Sequence, residues 1–190
     1  MKTRITNPAV SVAGAMEALQ ALGDAVGKSG VPHSTVHLVG MRASQINGCG
    51  VCLDGAWRFQ KAAGETDGRL FALAGWREAP YYSDAERAAL ALAEAVTRLA
   101  DRPDPVPDQI WAEAACHFDE PVLAGLVLAI ANQNLWNRLN VATRQVAGEW
   151  KPDVTGEWKP EACRCAPAMP APFLKAAHAG RRSLGAVSAA

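Results

Sequence analysis

Apolar residues return every three or four positions over most of the chain, the period of helices that bury one face. In residues 12–27 the stripe is Ala15, Leu19, Leu22 and Val26. Ser34 is placed to cap a second helix running to about Ser44, and Gln45-Ile46-Asn47-Gly48 reads as the turn that ends it. A third helix is expected from Gly48-Cys49 to Ala63, stopped by Gly64. Ser83 and Glu86 stand three apart, the spacing at which a cap serine and a glutamate satisfy each other's free backbone N–H groups. They open a helix with Ala89, Leu92, Val96 and Leu99 on one face. Pro103, Pro105 and Pro107 forbid helix over 102–107, which reads as a rigid connector. Pro107-Asp108 opens a further helix with Ile110, Trp111, Ala114, Ala115 and Phe118 on one side. Asp119-Glu120-Pro121 opens the last and longest, to about Gln145. Its first half is apolar all round, which places it in the middle of the bundle or between subunits.

Composition agrees with an all-α domain over residues 1–150. The chain has 38 alanines among 190 residues and is 49% apolar, which disfavours both disorder and an all-β architecture. After Trp150 the pattern changes. Gly148-Glu149-Trp150-Lys151-Pro152-Asp153 is nearly repeated as Gly156-Glu157-Trp158-Lys159-Pro160-Glu161, and periodicity is lost. Residues 151–190 are expected to form a Pro-rich C-terminal arm lying over the same or a neighbouring subunit.

Charge and targeting narrow the function classes. The formal net charge is zero, so the totals advertise no basic face for nucleic acid or anionic lipid. The longest apolar run, residues 122–131, is about half of the ~20 residues that span a bilayer. The polar start, Met1 to Pro8, lacks the apolar core of a secretory signal. A cytoplasmic protein without membrane or nucleic-acid partners is expected. Five cysteines are an odd number and too few for a disulfide scaffold.

The sharpest chemical feature is Cys49-Gly50-Val51-Cys52 at an expected helix start. Two thiols at this spacing can close a disulfide, and free N–H groups with the positive end of the helix dipole favour the nucleophilic thiolate. Such a pair can attack a peroxide or a disulfide and resolve internally. The same spacing serves as half a zinc site, or as two small apolar residues in a core. Zinc needs two more ligands, and neither Cys163-Arg164-Cys165 nor Cys116-His117 offers the paired spacing of a ribbon or finger. Cys116 itself is expected to face the interior.

The run from Met41 to Asp54, Met41-Arg42-Ala43-Ser44-Gln45-Ile46-Asn47-Gly48-Cys49-Gly50-Val51-Cys52-Leu53-Asp54, resembles the signature of the AhpD-like alkylhydroperoxidase, carboxymuconolactone decarboxylase superfamily. Trp76 to Leu90 and Asn134 to Ala142 fit the same proteins, so the likeness spans roughly residues 34–145. The resemblance implies an AhpD-like helical bundle that assembles as a homo-oligomer, trimer or hexamer. It also implies a thiol peroxidase or disulfide reductase with no metal and no organic cofactor. Its substrate would be a hydroperoxide or disulfide, and its electron donor a dithiol such as a lipoyl or thioredoxin-like protein. Carried over residue by residue, Cys52 is the sulfur that attacks peroxide, and Cys49, taken as nearer the solvent end, resolves and exchanges with the donor. Other members of the superfamily are decarboxylases and γ-lactone enzymes without a cysteine pair. A relay-deficient redox sensor or binding protein is a further alternative.

The chain departs from the peroxidase pattern at two relay positions. The glutamate twelve residues before the first cysteine is His37, and the histidine four after the second is Ala56. A side chain at 56 shares a helix face with Cys52. The residue that precedes the second cysteine, a histidine in the best-studied type, is Val51. His37 is therefore the candidate proton acceptor, with an ordinary pKa near 6.5 suited to that task, or else a partly buried histidine that fills the space of the missing glutamate, while His33 reads as a surface residue. Asp54 and Arg58 should pair on the helix surface. Arg42 and Gln45 should support the loop, and Trp57 and Trp76 should fill core or interface. Asn132, Gln133, Asn134 and Asn137 should form an interhelical amide network or a subunit contact. A second thiol pair, Cys163 and Cys165, suggests a tail that exchanges disulfides with Cys49.

Overall fold

The structure, a computed structural model, describes residues 2–100 and 102–149. Among these the regular elements are all helical. They are α1 (Pro8–Ser11), α2 (Ala15–Lys28), α3 (His33–Asn47), α4 (Gly50–Ala62), α5 (Asp67–Phe71), a tight single turn over Ala72–Gly75, α6 (Asp84–Thr97), α7 (Asp108–His117) and α8 (Glu120–Thr143). The expected arm 151–190, with Cys163 and Cys165, lies outside the described residues.

Most expected boundaries fall within a turn of those observed, because the local signals are chemically complete. The Ser83 hydroxyl accepts from the Glu86 N–H while Glu86 reaches back to the Ser83 N–H at 3.0 Å, so α6 starts where the capping box places it. Asp119 caps α8 by accepting from the Val122 N–H, with Pro121 in the first turn. One expectation is corrected. Gln45-Ile46-Asn47 is not a turn but the last part of α3, because Gly48, with φ of 66°, reverses the chain in a single left-handed residue. Two short helices escaped the periodicity argument, α1 behind the Asn7-Pro8 cap and α5 behind Thr66. Four or five residues are too few to show a period.

The core lies on both sides of α3. On one side Val31, Val39, Ala89, Leu92, Ala93, Ala114, Phe118, Leu123, Leu126 and Ile130 join α3, α6, α7 and α8. On the other, Leu38, Met41, Leu70, Leu73, Trp76, Tyr82 and Leu90 close over α5 and the turn that follows it. α3 is thus the central helix, while α8 packs on α2, α3, α4, α6 and α7 and leaves Leu128, Leu135 and Val141 exposed. At Gly125 the α2–α3 loop presses directly on the α8 backbone. A Cβ there would lie 2.0 Å from Ser29 Oγ and 2.4 Å from its Cβ. Two details of the expected stripes are corrected. Leu99 falls beyond the end of α6 and is exposed, and on α7 only Ala114 is buried in the core, with Phe118 just past its end, while Trp111 and Ala115 face outward.

Candidate active site

Backbone hydrogen bonds close the α3–α4 turn tightly, the Gly48 N–H to Gln45 O at 3.4 Å and the Cys49 N–H to Ser44 O at 3.0 Å. Cys49 is thereby the cap residue of α4 and Cys52 lies in its first turn, with Cα atoms 5.3 Å apart and the sulfurs joined in a disulfide. Both sulfurs sit at the positive end of a thirteen-residue helix, which favours thiolate once the bond is reduced. Their exposure reverses the expected order. Cys49 is only 1% exposed, whereas Cys52 is partly exposed. A helix start is not a solvent-facing end when the preceding turn folds back into the bundle.

A seam of amides holds this turn against α8. Asn47 Nδ2 donates to Asn134 Oδ1 and to Asn137 Oδ1, both at 2.9 Å. Asn137 Nδ2 and Gln133 Nε2 donate to Ser44 Oγ at 3.0 and 3.1 Å, and Asn134 Nδ2 donates to Thr97 Oγ1 at 3.1 Å. Three of the four amides expected to form a network therefore do so. Asn132 stands apart, its Oδ1 buried without a hydrogen-bond partner. On the other side of the turn Arg42 donates to Gln45 Oε1 at 2.9 Å and to Glu94 at 2.7 Å, which ties the loop to α6.

Glu94 was not singled out from sequence, although a carboxylate in the buried stripe Leu90, Ala93, Glu94, Thr97 was a legible signal. It is 8% exposed and accepts from Arg42, Trp76 Nε1 and Arg77, with Arg98 at 3.3 Å. Burial alone would push its carboxyl up. The hydrogen bonds from Arg77, Trp76 and Arg42, with the charge of Arg42, outweigh that and hold it at about 2.

The relay positions behave unlike those of the peroxidase pattern. Ala56 packs against the Leu38–Met41–Trp76 side of the core. His37 Nε2 lies 3.1 Å from His33 Nε2, so one ring donates to the other, and the rings meet edge to face. Burial, reinforced by His33, pushes the pKa of His37 down to about 3, and burial also lowers that of His33. The expected imidazole titrating near 6.5 is corrected, because His37 is neutral at physiological pH. His33 is not a free surface residue but its partner. The unfolded chain protonates this ring below about 6.5 and the folded chain resists until about 3, so stability is full above that window and declines as pH falls through it. His37→Gln is expected to remove about 1 kcal/mol of the loss between about pH 7.5 and about pH 5, discounting the linkage value for the ring's partial exposure. Thermal unfolding of both proteins at the two pH values checks this. Parallel acid shifts in the two proteins would contradict it.

Two groups reach the first turns of α4 from the far end of the described chain, one of them to the disulfide itself. Asn140, near the end of α8, donates from Nδ2 to Cys52 Sγ at 3.3 Å. Arg144 adopts a left-handed conformation with φ of 54°, turning the chain back, and the Gly148 N–H donates to Asp54 Oδ2 at 3.1 Å. Asp54 also pairs with Arg58 at 3.0 Å, as expected. Asn140 was part of the resemblance, but no local pattern assigns it a role, since its partner lies 88 positions away. Trp76 is buried and Trp57 is 45% exposed. Cys116 is exposed, which corrects its expected interior placement, because α7 buries only Ala114. Among the described residues no three His, Cys, Asp or Glu side chains converge to hold a metal.

An all-helical domain carrying a CxxC disulfide at a helix start defines a class of thiol–disulfide proteins. Comparison with known proteins makes it specific. The carboxymuconolactone decarboxylase family profile matches residues 13–95. An uncharacterised protein, YdfG of Bacillus subtilis (strain 168), is 36% identical over 115 residues, 60% of this chain and 77% of that protein. YnjA of Escherichia coli (strain K12) is 38% identical over 106 residues, 55% of this chain and 56% of its own length. ATU0492 of Agrobacterium tumefaciens, for which an AhpD antioxidant-defence role has been suggested, superposes with a TM-score of 0.72 at 34% identity. That match covers 78% of this chain and all of the other. The chain belongs to the AhpD-like, carboxymuconolactone decarboxylase superfamily, and its fold and cysteine pair support a redox role at the family level.

Proposed function

We propose that the protein is a CxxC-dependent thiol peroxidase or disulfide reductase driven by an external dithiol. The observation that carries this reading is the Cys49–Cys52 disulfide at the start of α4, with one sulfur accessible and the other buried behind it. In the reduced protein the Cys52 thiolate attacks the terminal oxygen of a hydroperoxide. The S–O bond forms as the O–O bond breaks, and the alkoxide takes a proton and leaves as an alcohol. The Cys49 sulfur then attacks the sulfenic sulfur, closing the disulfide and releasing water. A donor dithiol, such as a lipoyl or thioredoxin-like protein, reduces the accessible Cys52 sulfur through a mixed disulfide and leaves oxidised. Because Cys52 is the sulfur within reach, it serves both peroxide and donor in this reading, and Cys49 resolves. His37 contributes as a neutral imidazole hydrogen-bonded to His33. The exposed apolar residues Leu128, Leu135 and Val141 of α8 are the face on which a homo-oligomer would form. No helix among the described residues is long and apolar enough to cross a membrane, and a reducing, cytoplasmic setting suits the chemistry.

Ala56 in the apolar core and the neutral His33–His37 pair favour one alternative, a redox sensor that cycles without turning over peroxide. Assaying alkyl hydroperoxide consumption with dihydrolipoamide separates the two. Repeated turnovers support the peroxidase. A disulfide that cycles with the donor while no peroxide is consumed defeats it and leaves the sensor.

A further inference from the structure

A chain of amides enters the site from the N-terminal segment, and its polarity can be read from one end to the other. Asn7 Oδ1 accepts from the Ala9 N–H at 2.9 Å. A backbone N–H only donates, so the oxygen of Asn7 must face it and the Asn7 amino group must point the other way. That group donates to Asn140 Oδ1 at 2.6 Å. Asn140 is then oriented in turn, with its amino group toward Cys52 Sγ at 3.3 Å. The same backbone group that fixes the first amide therefore dictates that a donor, not an acceptor, reaches the sulfur.

The surrounding contacts keep this chain in place. The Arg4 N–H donates to Thr143 O at 2.9 Å, and its guanidinium donates to Ala142 O at 3.0 Å. Gln145 Nε2 donates to Ile5 O at 3.0 Å. The N-terminal segment is thus bound to the end of α8 at Asn140 and at the residues just beyond it. Meanwhile the α4 position one turn beyond Cys52, Ala56, has no proton or charge to offer and faces the apolar core.

We infer that Asn140 is the residue that stabilises negative charge on the Cys52 sulfur, and that Asn7 is the positioning residue that aims it. The inference rests on the proposed thiol chemistry and names which group serves it. A hydrogen bond to sulfur favours thiolate over thiol. It assists Cys52 twice, as the nucleophile that forms the S–O bond and as the thiolate released when the donor's second thiol displaces the mixed disulfide. An amide does not titrate in the working range, so its effect is independent of pH, unlike that of a histidine.

The test is a thiolate titration by ultraviolet absorbance in a background with Cys49, Cys116, Cys163 and Cys165 all replaced by serine, where Cys52 is the one remaining thiol and no peroxide turnover is needed. Asn140→Ala is expected to raise the Cys52 pKa by about one unit, the scale of one hydrogen bond to a charged group. Asn7→Ala is expected to raise it by less, and Asn140→Asp by more, since a carboxylate repels the thiolate. Asn7→Ala leaves α8 intact and serves if changes at 140 impair folding. A Cys52 pKa unchanged in Asn140→Ala, or in Asn7→Ala should the former not fold, overturns the inference, even if thermal stability falls. Because the readout is the sulfur itself, a wild type that consumes no peroxide but shows the shifts defeats the peroxidase reading and leaves this one standing.

Discussion

Cys52→Ser is expected to lower peroxide turnover by about a thousandfold or more, because it removes the only accessible sulfur of the pair and hydroxyl oxygen is a poor nucleophile at neutral pH. Cys49→Ser should fail differently. It leaves Cys52 able to attack peroxide once, so a sulfenic acid accumulates that a sulfenic-acid probe can trap by mass spectrometry. The fold should tolerate this second change well, since Cys49 occupies the cap position of α4, where serine is a preferred residue. Rapid mixing with one equivalent of hydroperoxide distinguishes the two variants. A burst in Cys52→Ser with none in Cys49→Ser would reverse the assigned roles, making the buried sulfur the nucleophile.

The largest expected change in stability lies away from the sulfurs, at Glu94. Glu94→Ala removes the shared acceptor of Arg42, Trp76 Nε1 and Arg77, leaving a mostly buried guanidinium and a buried indole N–H without it. Breaking a buried ion pair by deleting one partner costs about 3–5 kcal/mol, and the exposed side of Arg77 argues for the lower figure. For a chain of this size that corresponds to a fall of roughly 6–12 °C in Tm. The sign of its pH dependence follows from the depressed carboxyl. The folded group titrates at about 2 and the unfolded one near 4.5, so the stabilisation is complete above 4.5 and is lost as pH falls toward 2. Urea unfolding of wild type and Glu94→Gln should therefore show a gap at neutral pH that narrows below about pH 4. A gap of constant size across that range would contradict the assignment. Because Arg42 also holds Gln45, loosening Glu94 should carry through to the turn that places Cys49.

These two sites differ in how legible they were. The cysteine pair stands in four consecutive residues at a helix start, and spacing alone raises its chemistry. Glu94 was visible in principle as a charge within an apolar stripe, but its meaning required the arginines and the indole that reach it from α3, α6 and the loop after α5. His37 illustrates the opposite error. Its identity suggested a base with an ordinary pKa, whereas burial and the neighbouring ring at position 33 decide its protonation. Exposure of the two sulfurs was misread for a similar reason, since order along a helix says nothing about which way the preceding turn folds.

By itself, the sequence determined the longer helices, the caps of α6 and α8, the proline-rich connector between α6 and α7 and the presence of a closely spaced thiol pair. Each of these depends on interactions within a few residues: a period of apolar side chains, a serine and a glutamate three apart, a ring that locks φ. Only the tertiary structure decided which sulfur is reachable, that the core lies on both sides of α3, and that Asn7 and Asn140 meet beside Cys52. Those facts depend on hydrogen bonds between residues more than eighty positions apart. Such partners share no local pattern, and only packing brings them together.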